Sequence, residues 1–584
     1  RIMLLIVLLC IIPTTISHGI PNMAARFFTR SQVRAQRLVG ILAENANYYI
    51  RKLNVRVVNH LLSEDEKEHN INEFLTLECI RLDLWEPYVC KGMVDVFASE
   101  LYFVAKRVNY TPEEVCGVFL NDCDPPVNPM QVLWKLQISG NKPAVKPWPL
   151  IDAPNKTMRV LQLSDIHVDR DYAEGSEADC LDGGPTIGLC CRNYPVTSSN
   201  KTIKSPAGKW GSLHHCDIPY RTFEQAMRHI SETHKDLDYI IITGDLVSHD
   251  MWNFSEQLTK GTIANVTQIL IKNFPNIPIY ETVGNHEGVP SDAMASHNMD
   301  EYATRGPSWL YNVLADAWGR WISPESIKTV RYRASYVEYP SPGLKLISVN
   351  SIYCSKINFY IYINQTDPDD TLTWLISELL DSEAKGEKVH IISHIPAGLD
   401  VCLKGWSHNF YEIVNRFEST IAAQFFGHTH LDHFEVYYAD SNSAGRATHM
   451  NFIAPSITTA NYVNPSYRIY TIDGGYDGAS YTVLDAETYA TDIDIANAND
   501  EEPKWALEYS AKAAYGLSDL SPSSWADLIS RLAVDDELFT KFHRYMFRST
   551  HEENCVNEPE CRQRYICSMK TAKSFEEDIF CPGS

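Results

Sequence analysis

No stretch of this chain beyond its first dozen residues approaches the run of about 20 apolar residues that a membrane-spanning helix needs, so the mature protein is expected to be soluble. Basic charge is scarce too, with 51 Lys and Arg against 74 Asp and Glu and a formal net charge of −23. Nucleic-acid affinity rests on cations that neutralise phosphates, so no nucleic acid is expected as a partner. Paired CxxC knuckles are missing, which weakens any zinc-finger reading of the cysteines. Internal repeats and low-complexity tracts are absent as well.

What is present is enough apolar sequence, 44% of 584 residues, to build large cores in two or three domains. Ile2 to Ile12 is wholly apolar and is followed by Pro13, so residues 1–19 read as a signal peptide, with Met3 a candidate initiator after Arg1. Six Asn-X-Ser/Thr sequons, at Asn109, Asn155, Asn200, Asn253, Asn265 and Asn364, are candidate glycosylation sites and favour the secretory route. Fourteen cysteines remain once Cys10 leaves with the signal, an even number that suits disulfides in an oxidising compartment. The expected location is therefore secreted, lysosomal or both.

Residues from about Ser31 to Asp122 read as helices, with Val89, Met93, Val96, Phe97, Leu101 and Val104 at helical spacing and Thr111, Pro112 and Glu114 as a capping box. A proline-dense stretch, 124–155, reads as a linker. The pattern then changes to short apolar strands, Val160–Leu163, Tyr239–Thr243, Ile279–Val283, Val389–Ile392 and Ala422–Phe426, with amphipathic helices such as Asp370–Leu380 between several of them. This alternation predicts an α/β, two-sheet sandwich over 156–490, flanked by helices. After about Asp500 the chain is expected to turn helical and cysteine-rich to residue 584.

Each of those strands ends in residues that bind metals: Asp165-Ile-His167, Gly244-Asp245, Gly284-Asn285-His286-Glu287, Ser393-His394 and Gly427-His428-Thr-His430. Open α/β sheets place their sites at the carboxyl ends of strands. Two divalent cations about 3.5–4 Å apart need a bridging carboxylate, neutral imidazoles and rigid supports, and this set supplies all three. A lone histidine is usually structural, but five such strand ends in one chain are not a chance product.

The set resembles the motifs of calcineurin-like metallophosphoesterases over about Leu161 to Glu435. The resemblance implies that Asp165, His167, Asp245 and His430 hold one metal and Asp245, Asn285, His394 and His428 the second, with two Zn²⁺ preferred. It implies hydroxide attack on phosphorus, with His286 and His249 stabilising charge and donating a proton to the leaving group. Purple acid phosphatases place a tyrosine ligand where this chain has Ser248, and a glycine where His167 stands, which argues against an iron phosphatase.

A narrower similarity is to the acid sphingomyelinase family, carried by Leu163 to Asp169, Cys190-Cys191, Gly427 to Val436, Ala454 to Thr459, Asn464-Pro465 and Tyr467-Arg468. It implies a phosphoric diester hydrolase that converts sphingomyelin to ceramide and phosphocholine, with an all-α saposin-like domain over 31–123 contacting the membrane peripherally. It further implies disulfides Cys180–Cys190, Cys191–Cys216, Cys354–Cys402, Cys555–Cys561 and Cys567–Cys581. In the saposin-like region Cys79 and Cys90 match a middle pair, but Tyr48 and Arg51 stand where a CxxC is usual, so Cys116 and Cys123 are expected to bond to each other. Two rival readings stand beside this one: a phosphodiesterase of soluble nucleotides or other phospholipids, and a non-catalytic lipid-binding protein. The complete ligand set counts against the second, and the helical region against the first.

Overall fold

A computed structural model describes residues 68–81, 84–108, 110, 114, 128–151, 154–180, 188–194, 202–439, 445–550, 555 and 558–581. The expected signal peptide, the helical residues before 68, the sequons at Asn109 and Asn200, and Cys116 and Cys123 lie outside the described residues. The chain divides into two compact units, one of residues up to Val132 with Gly183–Gly188 and Met251–Asn253, the other of Leu133–Asp182, Leu189–Asp250 and Phe254–Ser584.

In the first unit, helices run over Glu68–Arg81 and Pro87–Ala105. Pro87 opens the second of these, where its missing N–H has no helical partner to lose. The buried face of that helix is Cys90, Met93, Val94, Phe97, Ala98 and Leu101, whereas Val96 is only half-buried. A Cys79–Cys90 disulfide ties the two helices, and Tyr102 Oη donates to Asn72 Oδ1 at 2.6 Å.

The second unit holds the strands β1 (Thr157–Leu163), β2 (Val168–Asp169), β3 (Ile218–Pro219), β4 (Tyr239–Ile242), β5 (Ile279–Glu281), β6 (Tyr336–Ser341), β7 (Leu344–Val349), β8 (Lys388–Ser393), β9 (Ile421–Phe426), β10 (His433–Tyr438), β11 (Ala447–Ile453), β12 (Ser466–Asp473), β13 (Val483–Ala490) and β14 (Ala506–Ser510). One sheet has the order β14-β13-β12-β1-β4-β5 and the other β10-β11-β9-β8-β7-β6. β1, β4 and β5 are parallel, as are β7, β8, β9 and β11, while antiparallel strands close three of the four sheet edges, β5 forming the fourth. Parallel strands buried on both faces read as continuous apolar runs, which is why β4 (Tyr-Ile-Ile-Ile) and β9 were visible in the sequence. The sheets meet through aromatic contacts, Phe425 and Phe452 on Tyr470, and through Gln162, which donates to Phe426 O at 3.0 Å and accepts from Tyr470 Oη at 2.7 Å.

The expected boundaries need correction at both ends of the sandwich. From Leu133 onward the proline-rich segment belongs to the second unit, where Leu136 N and Trp134 O bond the side chain of Asn409. The region after 500 is not helical from its start: Ala506–Ser510 adds an antiparallel edge strand to β13, because that edge offers unpaired backbone groups. Helices follow, chiefly Pro522–Leu532, Asp536–Met546 and Pro559–Lys570, and pack on β10 and β11 within the same unit. Disulfides join Cys180–Cys190, Cys191–Cys216, Cys354–Cys402, Cys555–Cys561 and Cys567–Cys581. The sequons at Asn155, Asn253, Asn265 and Asn364 are exposed. Among the described residues no helix is long and apolar enough to cross a membrane.

Candidate metal centre

Asp165 and His167 follow β1, Asp245 follows β4, Asn285 and His286 follow β5, His394 follows β8, and His428 and His430 follow β9. The turns are sharp. Asp165, His167, Asp245, His428 and His430 all have positive φ, from 42° to 73°, a conformation that L-residues avoid and that collects at functional sites. The neighbouring glycines are set by proximity: a Cβ on Gly284 would lie 2.1 Å from Asp245 Oδ1, and one on Gly427 2.1 Å from Ser164 Oγ.

Three groups of candidate ligand atoms result, the atoms of each within 4.8 Å of one another, and two of them match the expected sets, Asp165 with His167 and His430, and Asp245 with His394 and His428, while the third is His167 with His249 and His286. Asp245 Oδ2 lies between the first two, 3.5 Å from His167 Nε2 and 3.1 Å from His394 Nε2. Asn285 Oδ1 joins the second group, 2.9 Å from His394 Nε2 and 3.1 Å from His428 Nδ1.

The chemistry of the donors fits cations. His167 Nδ1 donates to Val247 O at 2.7 Å, which leaves Nε2 as a bare lone pair, buried and with no hydrogen-bond partner. His394 Nδ1 likewise donates to Thr243 O at 2.6 Å and aims Nε2 into the second group. Burial, which outweighs the neighbouring charges, holds the His167 and His430 imidazoles far below their usual range, so both are neutral ligands. Burial, reinforced by Asp245, pushes the Asp165 carboxyl up to about 7, and an adjacent cation acts in the opposite sense. His394 rises to about 10 against the pull of burial because Asp245 holds its proton, a proton that a bound cation replaces.

His249 and His286 complete a histidine cluster, with the His167 and His249 rings stacked at 4.0 Å and the His249 and His286 centroids 4.5 Å apart. Their surroundings separate them. Burial pushes His286 down to about 4, and its backbone N–H donates to Asp245 Oδ1 at 2.8 Å. His249 is raised despite burial, because the Asp217 carboxylate accepts from its Nδ1. Ser248, at the position of a tyrosine ligand in purple acid phosphatases, is buried and donates to Asp250 Oδ1 at 2.6 Å instead.

The surrounding carboxylates and cations were not apparent from the sequence. Glu287 accepts from the backbone of Asp245, Leu246 and Gly284, so it pins two ligand turns together. Arg192 forks onto Asp169 and also pairs with Asp250, bridging the turns after β1 and β4. Arg548 reaches from the C-terminal helices to His430 O. Of these only Glu287 had a local signal, its place directly after Asn285-His286. All seven proposed ligands and both histidines therefore converge on one site.

Residues 158–432 match the calcineurin-like phosphoesterase family, and residues 443–577 the acid sphingomyelin phosphodiesterase C-terminal region. The chain is 49% identical over 533 residues to a Caenorhabditis elegans protein named sphingomyelin phosphodiesterase 2, covering 90% of this chain and 86% of that one. It is 38% identical over 507 residues to human sphingomyelin phosphodiesterase, covering 85% and 76%. A bovine cyclic GMP-AMP phosphodiesterase, SMPDL3A, is 30% identical over 403 residues, covering 66% of this chain and 85% of that one.

Proposed function

Because this chain belongs to the sphingomyelin phosphodiesterase family of calcineurin-like phosphoesterases, we propose that it hydrolyses sphingomyelin to ceramide and phosphocholine at this centre. The observation that carries the reading is the pair of ligand groups meeting at Asp245 beside His249 and His286. Two divalent cations, zinc by the nitrogen-rich donor set, would be held by Asp165, His167, Asp245 and His430, and by Asp245, Asn285, His394 and His428. When bound, such cations polarise phosphoryl oxygens and make water a better nucleophile at neutral or acid pH.

The residues of the chain do the remaining work. A water oxygen forms a bond to phosphorus, the bond from phosphorus to the ceramide oxygen breaks, and that oxygen needs a proton. His249, held in its protonated form by Asp217, is the donor; His286, kept neutral by burial, positions or shields the developing charge. The helices of the first unit, as a saposin-like domain over 31–123, bring the cleft to the lipid headgroup, and the chain works as a secreted or lysosomal glycoprotein.

The 30% identity to a cyclic GMP-AMP phosphodiesterase keeps a soluble-nucleotide substrate as the second reading. That relative covers 66% of this chain, whereas the sphingomyelin phosphodiesterases cover 85–90%, which favours the lipid. Purified full-length protein assayed on sphingomyelin vesicles and on nucleotide phosphodiesters, each with and without chelator, tests the reading. Chelator-sensitive release of phosphocholine is expected; turnover of nucleotides alone would replace the proposal with the second reading.

A further inference from the structure

An asparagine can ligate a metal only through Oδ1, yet its amide has two faces of nearly the same shape, and a turn by 180° presents an NH₂ group that repels cations. Something must choose the face. At Asn285 the choice is made on the side away from the ligand group: Nδ2 donates to Asp292 Oδ2 at 3.2 Å. Asp292 is itself buried, and the Ser355 hydroxyl donates to its Oδ1 at 2.7 Å and the Ser291 hydroxyl to its Oδ2 at 3.0 Å. Each of these side-chain partners is a donor, so the carboxylate acts as an acceptor and would repel Oδ1 in a flipped amide.

The carboxylate is held in place by the backbone as well. Asp292 N donates to Asn285 O at 2.9 Å, and Asp292 has φ 64°, a strained turn that folds the loop back on its start. Ser355 follows Cys354, whose disulfide partner is Cys402. With Nδ2 engaged, Asn285 Oδ1 faces His394 Nε2 and His428 Nδ1.

We infer that Asp292 is a positioning residue whose carboxylate fixes the amide face of Asn285 and so gives the second metal position its oxygen ligand. The inference rests on the proposed two-metal centre. Asp292→Asn keeps the shape but removes the selection, because an asparagine at 292 can pair with either face of its neighbour. Outer partners of metal ligands are worth about 10–100-fold in metal affinity.

Zinc titration of the full-length chain against a competing chelator, with zinc content by mass spectrometry, tests it. The native chain should hold two zinc ions. In D292N one of the two should weaken by about 10–100-fold while the other is unchanged. Ser355→Ala, a milder variant, should weaken the same ion by less. Adding Asn285→Asp to D292N should restore the lost ion, because a carboxylate at 285 has no wrong face. Unchanged binding in D292N, equal weakening of both ions, or no recovery in the double variant would overturn the inference. A native chain that binds no zinc would instead overturn the metal centre, and the inference with it.

Discussion

The Asp217 carboxylate accepts from His249 twice over, from Nδ1 at 2.9 and 3.0 Å and from the His249 backbone N–H at 2.7 Å, while Thr458 Oγ1 donates to the same carboxylate at 2.8 Å. Side chain and backbone are locked by one group, so Nε2 is the ring nitrogen left to face the cluster. Cys216, one residue before, is bonded to Cys191, which anchors Asp217 through the disulfide loop. Asp217→Asn should lower kcat by roughly 10²-fold or more with little change in KM, the range that a positioned proton donor contributes. The loss should shrink on a substrate whose leaving group needs no proton. An equal loss on good and poor leaving groups would assign the pair to charge stabilisation or positioning rather than proton transfer.

Asp245 lies between the two ligand groups, beyond the end of β4 rather than within a sheet. Asp245→Ala is therefore expected to abolish turnover and cut metal content while leaving the circular-dichroism spectrum intact. Native protein stripped by chelator should lose activity and regain it with zinc. Full activity in a verified metal-free sample is the outcome that sinks the two-metal reading.

His286 and His249 should respond differently to leaving-group ability. His249→Ala should be rescued by a good leaving group, whereas His286→Ala, whose imidazole burial holds neutral, should stay impaired by a similar factor on both substrates. Parallel kcat measurements on sphingomyelin and on a nitrophenyl analogue decide it. Rescue of H286A and not of H249A would exchange the two roles.

The metal ligands were legible because each is a local event: an apolar strand stops and a ligand begins, as at Leu163 before Asp165 or Phe426 before His428. Residues that act across the fold left no such mark. Asp217 lies 32 positions from His249, and Arg548 lies 118 from His430, distances at which a single sequence carries no pairing signal. The helix expected over Asp370–Leu380 in fact runs from Thr371 to Lys385, stopping where Gly386 takes φ 74°, a C-terminal glycine that marks its end in the sequence. Ala506–Ser510 was misread because five residues carry little periodicity and the edge of β13 decides their conformation.

Two carboxyls away from the ligand set give the fold a pH dependence. Burial pushes Glu281 and Glu435 each up to about 8, against an unfolded value near 4.5. Between those limits the native state holds protons that the unfolded chain releases, so stability falls as pH rises, by up to about 1.4 kcal/mol per pH unit for each group. The contribution of these two groups should be present at pH 5 and largely lost by pH 7.5, opposite in sign to that of buried histidines such as His286. Glu435→Gln keeps the shape of the group bonded to Asn451 and should flatten the slope of Tm against pH. A slope identical to that of the native chain would remove Glu435 from the account.

Arg548 is fully buried at φ 49°. Its guanidinium donates to His430 O, to Asn464 O at 2.7 Å and to Ser456 Oγ at 3.2 Å, and Asn464 Nδ2 donates back to Arg548 O. Ser456 N in turn donates to His430 O, and Thr458 N to Asp165 O, so one cation braces the turns that carry two ligands of the same metal group. Burial lowers the guanidinium to about 10, which still leaves it charged at any working pH. Removing it takes away three hydrogen bonds from a charged donor, of about 1.5–3 kcal/mol each. Arg548→Met should therefore lower Tm markedly and speed zinc loss from the group containing His430. Arg548→Lys keeps the charge but not the planar fork, and should recover only part of both. If the C-terminal helices served only as a cover, the lysine variant would match the native chain in zinc release even while its Tm fell. Zinc release that follows the number of hydrogen bonds kept, native slower than lysine and lysine slower than methionine, is the result that ties Arg548 to the metal turn.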